Sequence, residues 1–77
     1  MPTVFRENGF RGMVRTDDHD PIHVHVFKDS VEFKIDATSF KLLEVKGNYK
    51  NKDLKTAVQL VKKYQTEIIE KWNEIHG

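Results

Sequence analysis

Residues 22–37 read IHVHVFKDSVEFKIDA, and this stretch predicts a β-hairpin at the centre of the fold. Apolar and polar residues alternate on both sides of Asp29-Ser30, and a period of two is typical of β-strands. With these two residues at the turn, apolar side chains meet on one face in two pairs, Val26 with Phe33 and Val24 with Ile35. A shift by one residue would place apolar side chains opposite polar ones, so the register is well specified.

The other face of this hairpin carries imidazoles. His23 lies opposite Asp36 in the predicted register, and His25 lies opposite Lys34. Together with His19, they place three histidines within seven residues. Imidazole gains or loses a proton near neutral pH and also binds metals, so this cluster is where the residue types themselves suggest chemistry.

A second hairpin is predicted nearer the start of the chain. Strands over 3–7 and 10–15 flank Asn8-Gly9, a dipeptide that readily adopts the positive φ angles of a tight turn. The expected cross-strand pairs are Phe5 with Gly12, Thr3 with Val14, and Arg6 with Arg11. A weaker strand is expected over 40–45, before the Gly47-Asn48 turn.

From Lys52 onward the apolar period changes from two to about 3.6, which predicts a helix. The apolar stripe consists of Leu54, Val58, Val61, Ile68, Trp72 and Ile75. Asn51 is the expected N-cap, and Asp53 favours the positive end of the helix dipole. Residues 62–66 could introduce a kink, but we predict one long helix over 52–75.

The sequence therefore predicts an α+β fold in a single domain over 1–77. A small antiparallel sheet within 3–45, with four strands in two hairpins, packs against one long C-terminal helix. A chain of 77 residues can bury only about 60% of its unfolded surface, so a partner could complete the core.

Composition narrows the possible functions. The net charge is +1, from 13 basic and 12 acidic residues, which argues against capture of nucleic acid by the molecule as a whole. The chain has no cysteine, which excludes disulfides, cysteine zinc sites and thiol catalysis. No signal peptide or transmembrane run is evident, so we expect a cytoplasmic protein with no membrane association.

The polar face of the predicted sheet concentrates positive charge. If Phe10 and Val14 belong to the core, Arg6, Arg11 and Arg15 share the other face with the histidines and Lys34. The Arg6–Arg11 apposition is unfavourable unless an anion lies nearby, because like charges repel across a strand pair. Arg6, Arg11 and Arg15 are therefore candidate anion-binding residues, although an ordinary solvated face and a face covered by a partner remain alternatives.

Two further interpretations of the histidines stay open. A His-x-His pair could bind zinc with His19 or an aspartate of loop 17–20, but nearby positive charges oppose a cation, so we expect no metal and no other cofactor. Alternatively, His23 and His25 could act as base and acid on a phosphodiester, with Lys34 stabilising the transition state. A purely structural role, with hydrogen-bonded imidazoles, is the third possibility.

Several segments resemble a small prokaryotic family filed as domain of unknown function 4160. They are MPTVFR at 1–6, the Asn8-Gly9 turn, HDPIHVHV at 19–26, and a terminal helix ending near Trp72. The family typically reads His-x-Pro-Pro-His-x-His-Val. This chain matches that pattern at His19, Pro21, His23, His25 and Val26, and has Ile22 in place of the second proline.

The resemblance implies a small cytoplasmic protein whose gene often lies beside that of another small protein with DNA-binding features. Such pairing suggests a toxin–antitoxin module, but the resemblance implies no established activity or catalytic residue. We therefore expect a component of such a module whose His/Arg-rich face binds RNA phosphate or an acidic partner protein. The alternatives are a metal-independent RNase that uses the paired histidines and a non-catalytic protein-interaction module with structural histidines. The partner could also be a second copy of the chain, in a homodimer.

Overall fold

A computed structural model describes residues 3–77 and contains an antiparallel sheet with helices on one face. The strands are β1 (Thr3–Glu7), β2 (Phe10–Met13), β3 (His23–Lys28), β4 (Val31–Asp36) and β5 (Leu42–Lys46), and the helices are α1 (Asn51–Lys63) and α2 (Gln65–His76). The strand order in the sheet follows the chain order. This confirms the α+β class.

The described part of the chain has five strands. The predicted sheet counted four, those of the two hairpins, and the weaker strand expected over 40–45 joins the sheet as the fifth, paired with β4. Along this pair Phe33 lies opposite Val45 and Ile35 opposite Leu42. These apolar pairs continue the buried face of the sheet, which explains why a segment of weak strand pattern joins it. The strand begins at Leu42, two residues later than expected, and extends to Lys46.

The central hairpin has the predicted register. Val26 lies opposite Phe33, Val24 opposite Ile35, His25 opposite Lys34, and His23 opposite Asp36. All four apolar residues are fully buried. Asp29 has φ 54°, a left-handed conformation that aspartate tolerates in a tight turn. The alternation in the sequence was sufficient to set this pairing, because only this register buries Val24, Val26, Phe33 and Ile35 on one face.

The first hairpin follows the prediction except at its open end. Asn8 and Gly9 both have positive φ, and the Arg6–Arg11 and Phe5–Gly12 pairs are present. The predicted Thr3–Val14 pair is wrong, because a bulge between Thr3 and Phe5 places Thr3 opposite Met13. A bulge adds one residue to one strand and shifts every pair beyond it.

The Phe5 ring lies across Gly12 and needs the space that glycine leaves. A Cβ at Gly12 would overlap this ring. The ring cannot easily move away, because it stacks on Tyr64 with a centroid separation of 4.8 Å. This contact joins the first hairpin to the junction between the two helices.

The core lies between the sheet and the helices. Its largest fully buried members are Val14, Val24, Val26, Phe33, Ile35, Val61 and Ile68. The predicted helical stripe is only partly buried, since Leu54, Val58 and Ile75 are partly exposed and pack at the margin of the core. Ala57 and Leu60 are also buried, although the predicted stripe did not include them.

The predicted single helix is divided at Tyr64, which corrects the prediction of one long helix. Tyr64 has φ −104° and ψ 17°, outside the helical range. Its hydroxyl donates a hydrogen bond of 2.7 Å to Glu7 Oε1, so a contact with β1 fixes the bend. The predicted N-cap is also wrong: α1 begins at Asn51, with Lys50 in the cap position and no side-chain cap hydrogen bond.

Candidate functional site

The loop between β2 and β3 carries Asp18 over the polar face of the sheet. Asp18 Oδ2 accepts a hydrogen bond of 2.9 Å from the Arg15 N–H, and the Asp18 N–H donates one of 3.3 Å to the Arg15 carbonyl. These reciprocal bonds close a tight turn, a conformation that aspartate favours. The carboxylate is thereby held next to the two histidines of β3.

His25 lies between two carboxylates. Its Nδ1 is 2.8 Å from Glu32 Oε2, and its Nε2 is 3.0 Å from Asp18 Oδ1. The residue is only 5% exposed. Glu32 is diagonally placed on β4 and also lies 3.6 Å from the Arg15 guanidinium.

His23 is enclosed by the same loop and by the end of α2. Its Nδ1 donates to the Pro21 carbonyl at 2.7 Å, because a carbonyl oxygen can only accept. Its Nε2 lies 3.3 Å from Asp18 Oδ1, but this contact lacks the geometry of a hydrogen bond, and the atom has no hydrogen-bond partner among residues 3–77. The ring also contacts Trp72 edge-on, at a centroid separation of 5.3 Å.

The environment of Asp18 favours its ionised form. Burial opposes ionisation, but the hydrogen bond from the Arg15 N–H and the contacts with His25 and His23 together lower the pKa of Asp18 below 3.8. The side chain is 9% exposed. The carboxylate is therefore a negative charge held against two imidazoles at neutral pH.

Positive charge gathers on the same face beyond the histidines. The Cζ atoms of Arg11 and Arg15 lie 5.3 Å and 5.9 Å from the centre of the Phe27 ring. Arg6 lies opposite Arg11 on the edge strand β1 and is exposed. Three guanidinium groups thus lie on the β1–β3 side of this face, next to a partly exposed aromatic ring.

The structure brings together some of the predicted site residues and separates others. His23 and His25 are adjacent, with ring centroids 5.1 Å apart, whereas Lys34 is half-buried and forms no ion pair within residues 3–77. Asp36 lies opposite His23 but its Oδ1 accepts hydrogen bonds from Thr38 and Ser39. His19 is exposed and borders a cleft with Asp18, Asp20, Trp72 and His76.

Three potential ligand atoms converge at this site. One atom each from Asp18, His23 and His25 lies within 4.8 Å of the other two. The sequence indicated loop 17–20 as a source of carboxylates but could not select Asp18. The sequence did not predict the contact between Glu32 and His25, because this diagonal contact depends on the side-chain rotamers.

The fold and this site define a small α+β domain with a buried histidine–aspartate cluster beneath a loop. A family model with the description Domain of unknown function (DUF4160) matches residues 9–73. The chain belongs to this family, as the resemblance of its histidine segment predicted. No match was found among curated proteins or among solved structures. Neither α1 nor α2 is long and apolar enough to cross a bilayer, and the described residues contain no other helix.

Proposed function

We propose that this domain binds the phosphate backbone of RNA through Arg6, Arg11 and Arg15, as one member of a two-protein module of the toxin–antitoxin type. The observation that supports it most is the position of two guanidinium groups against Phe27, with a third on the neighbouring strand. The three arginines and Phe27 are called the arginine face below.

The chemistry of the arginine face suits a single-stranded RNA. Guanidinium groups bind phosphate oxygens through paired hydrogen bonds. An aromatic ring on the surface of a sheet can stack on an unpaired base, and cation–π contacts with arginine strengthen such sites. Phe27 is partly exposed on β3, opposite Arg11 of β2, so one nucleotide could contact both kinds of group.

The charge distribution points to the same half of the sheet. Arg6 and Arg11 form no ion pair within residues 3–77, and the Nε atoms of Arg11 and Arg15 have no hydrogen-bond partner. On the β4–β5 half, in contrast, acidic and basic residues face one another, Glu32 with Lys46 and Lys34 with Glu44. Across the β1–β2 pair two positive charges face one another instead, Arg6 and Arg11, and this apposition favours an anionic ligand.

The alternative of a metal-independent RNase is less favoured by the geometry. A general acid or base must approach the substrate to hydrogen-bond distance. His23 and His25 are 2% and 5% exposed, and each Nδ1 already contacts an oxygen atom. Lys34 lies opposite His25 in the sheet but forms no ion pair in the described part of the chain. We therefore assign no catalytic role to these three residues.

The experiment is a binding titration with a labelled single-stranded RNA of mixed sequence, followed by fluorescence anisotropy. Wild type is expected to bind with an affinity that falls with salt, by roughly 0.7 logarithmic units per tenfold salt for each phosphate contacted. Arg11→Glu should weaken binding about tenfold or more and reduce the salt slope. Lys55→Glu on α1 makes the same charge change away from the sheet and should bind like wild type.

Equal binding by Arg11→Glu and wild type would contradict the role of the arginine face. If the domain bound an acidic protein but no RNA, the proposed ligand of the arginine face would be a protein partner and not RNA. Membership of a two-protein module is tested separately, by inducing expression in a bacterial host with and without the neighbouring gene. If growth were unaffected in both strains, the proposal that the protein belongs to a two-protein module would be wrong.

A further inference from the structure

We propose that Asp18, His23 and His25 bind one divalent transition-metal ion, through the Asp18 carboxylate and the Nε2 atoms of both histidines. This departs from the expectation based on the sequence, which was that no metal is bound. The inference does not depend on RNA binding, since none of these residues belongs to the arginine face.

The Nδ1 contacts fix which ring nitrogens are available. The Pro21 carbonyl accepts a hydrogen bond from His23 Nδ1, and Glu32 accepts one from His25 Nδ1. When each ring is neutral, its proton therefore lies on Nδ1 and its lone pair on Nε2. Metal-binding histidines typically show this arrangement, with the second nitrogen donating to a carbonyl or a carboxylate.

With both rings neutral, the two Nε2 lone pairs and the Asp18 carboxylate face one another with no donor between them, because the 3.0 Å contact of His25 Nε2 with Asp18 is a hydrogen bond only when Nε2 carries a proton. A proton on His25 Nε2 would form a hydrogen bond with Asp18. His23 Nε2 would still have no partner among residues 3–77, although His23 is only 2% exposed. An unpartnered buried polar atom is costly. A cation placed between the three atoms satisfies all of them at once.

The spacing of these atoms fits a metal ion. Asp18 Oδ1 lies 3.0 Å from His25 Nε2 and 3.3 Å from His23 Nε2. Ligands about 2.1 Å from a tetrahedral zinc ion are about 3.4 Å from one another. Two imidazoles and one carboxylate suit zinc, iron, cobalt or nickel, whereas calcium and magnesium prefer oxygen ligands alone.

The surrounding charges favour a divalent cation more than the sequence suggested. Glu32 contacts the His25 ring and supplies a second negative charge beside that of Asp18. Arg15 is the near positive group, and its guanidinium lies by Glu32 at 3.6 Å. Lys34, opposite His25 in the sheet, adds another positive charge, whereas the Arg11 guanidinium lies over the Phe27 ring at 5.3 Å.

Three protein ligands leave a coordination position for water or a substrate atom, as in catalytic zinc sites. Asp18 also borders the cleft formed with Trp72 and His76, so a small ligand can approach the carboxylate from that side. The site thus has the ligand number of a reactive metal centre.

The test uses purified full-length protein, first stripped with a chelator and then titrated with Zn²⁺ in competition with a chromophoric chelator. One ion per chain is expected, together with a higher melting temperature. Co²⁺ is a second probe: it should quench the fluorescence of Trp72, the single tryptophan, whose ring lies 5.3 Å from His23. This second measurement needs no variant.

His23→Gln and Asp18→Asn should each weaken Zn²⁺ binding at least about 100-fold, since loss of outer partners alone costs 10–100-fold. His19→Gln, which removes an exposed histidine of the same loop, should bind as wild type does. Circular dichroism shows whether each variant is folded. If His23→Gln does not fold, the proposal is tested by Asp18→Asn together with the Co²⁺ measurement on wild type. Absence of stoichiometric binding by wild type, or binding by His23→Gln and Asp18→Asn that is as tight as that of wild type, would overturn the proposal.

Discussion

On the polar face of the sheet, the role of a residue depends on which neighbouring groups its side chain contacts. Asp36 illustrates this, because the cross-strand register places it opposite His23 while its carboxylate turns toward the loop that follows β4. Its Oδ1 accepts hydrogen bonds from the Thr38 N–H and hydroxyl, both at 2.7 Å, and from the Ser39 N–H at 3.0 Å. Burial opposes its ionisation, but the bonds from Ser39 and Thr38 outweigh it and lower the pKa of Asp36 below 3.8.

A pH-dependent contribution to stability follows for Asp36. Because the folded pKa lies below the unfolded value of 3.8, the ionised carboxylate stabilises the fold above that pH and less as the pH falls through the folded value. Asp36→Ala should lower the free energy of unfolding by about 1–2 kcal/mol at pH 7, and by less at pH 3. Urea denaturation at both pH values measures this, with the exposed Asp17→Ala as control. A pH-independent loss would contradict the ionic origin.

The same dependence on neighbours limits what could be predicted for the candidate site. The strand register followed from alternation, so the adjacency of His23 and His25 was predictable. The position of Asp18 was not, because it depends on a loop turn that the Arg15 backbone closes. Sequence patterns describe which side chains share a strand face, but they do not describe how a connecting loop folds back over that face.

Elements were predictable where one physical requirement dominates. The β3–β4 hairpin has a single register that buries its apolar residues, and that register was found. The division of the helix at Tyr64 was missed because its causes are tertiary: the ring stacks on Phe5 and the hydroxyl binds Glu7. Helical periodicity continues across this junction, so the sequence pattern alone favours one helix.

The two faces of the central hairpin should respond differently to substitution. Val26 is fully buried, so Val26→Asp places a carboxylate in the core, which costs several kcal/mol and should unfold so small a domain. Lys34→Ala on the opposite face removes a half-buried side chain without an ion pair in residues 3–77 and should change stability by less than about 0.5 kcal/mol. Thermal denaturation followed by circular dichroism compares them. Similar melting temperatures would mean that the faces are assigned wrongly.

At the scale of the whole molecule, α2 connects parts of the fold that are distant in the chain. The junction is held by Tyr64 to β1 and by Gln65, whose Nε2 donates a 2.9 Å hydrogen bond to the Ala37 carbonyl after β4. Further along, Ile68 is fully buried and Trp72 contacts His23. The cluster of Asp18, His23 and His25 and the core therefore both lie against α2, so loosening of this helix would expose both.

These shared contacts predict that α2 and the sheet unfold together. In urea, the fluorescence of Trp72 and the far-ultraviolet circular dichroism should have the same midpoint, as in a two-state transition. Tyr64→Phe keeps the ring that stacks on Phe5 but loses the hydroxyl bond to Glu7, so it should lower both midpoints equally, by about 1 kcal/mol in stability. If the fluorescence changed at a lower urea concentration than the dichroism, α2 would be separating from an intact sheet. The prediction that α2 and the sheet unfold together would then be wrong.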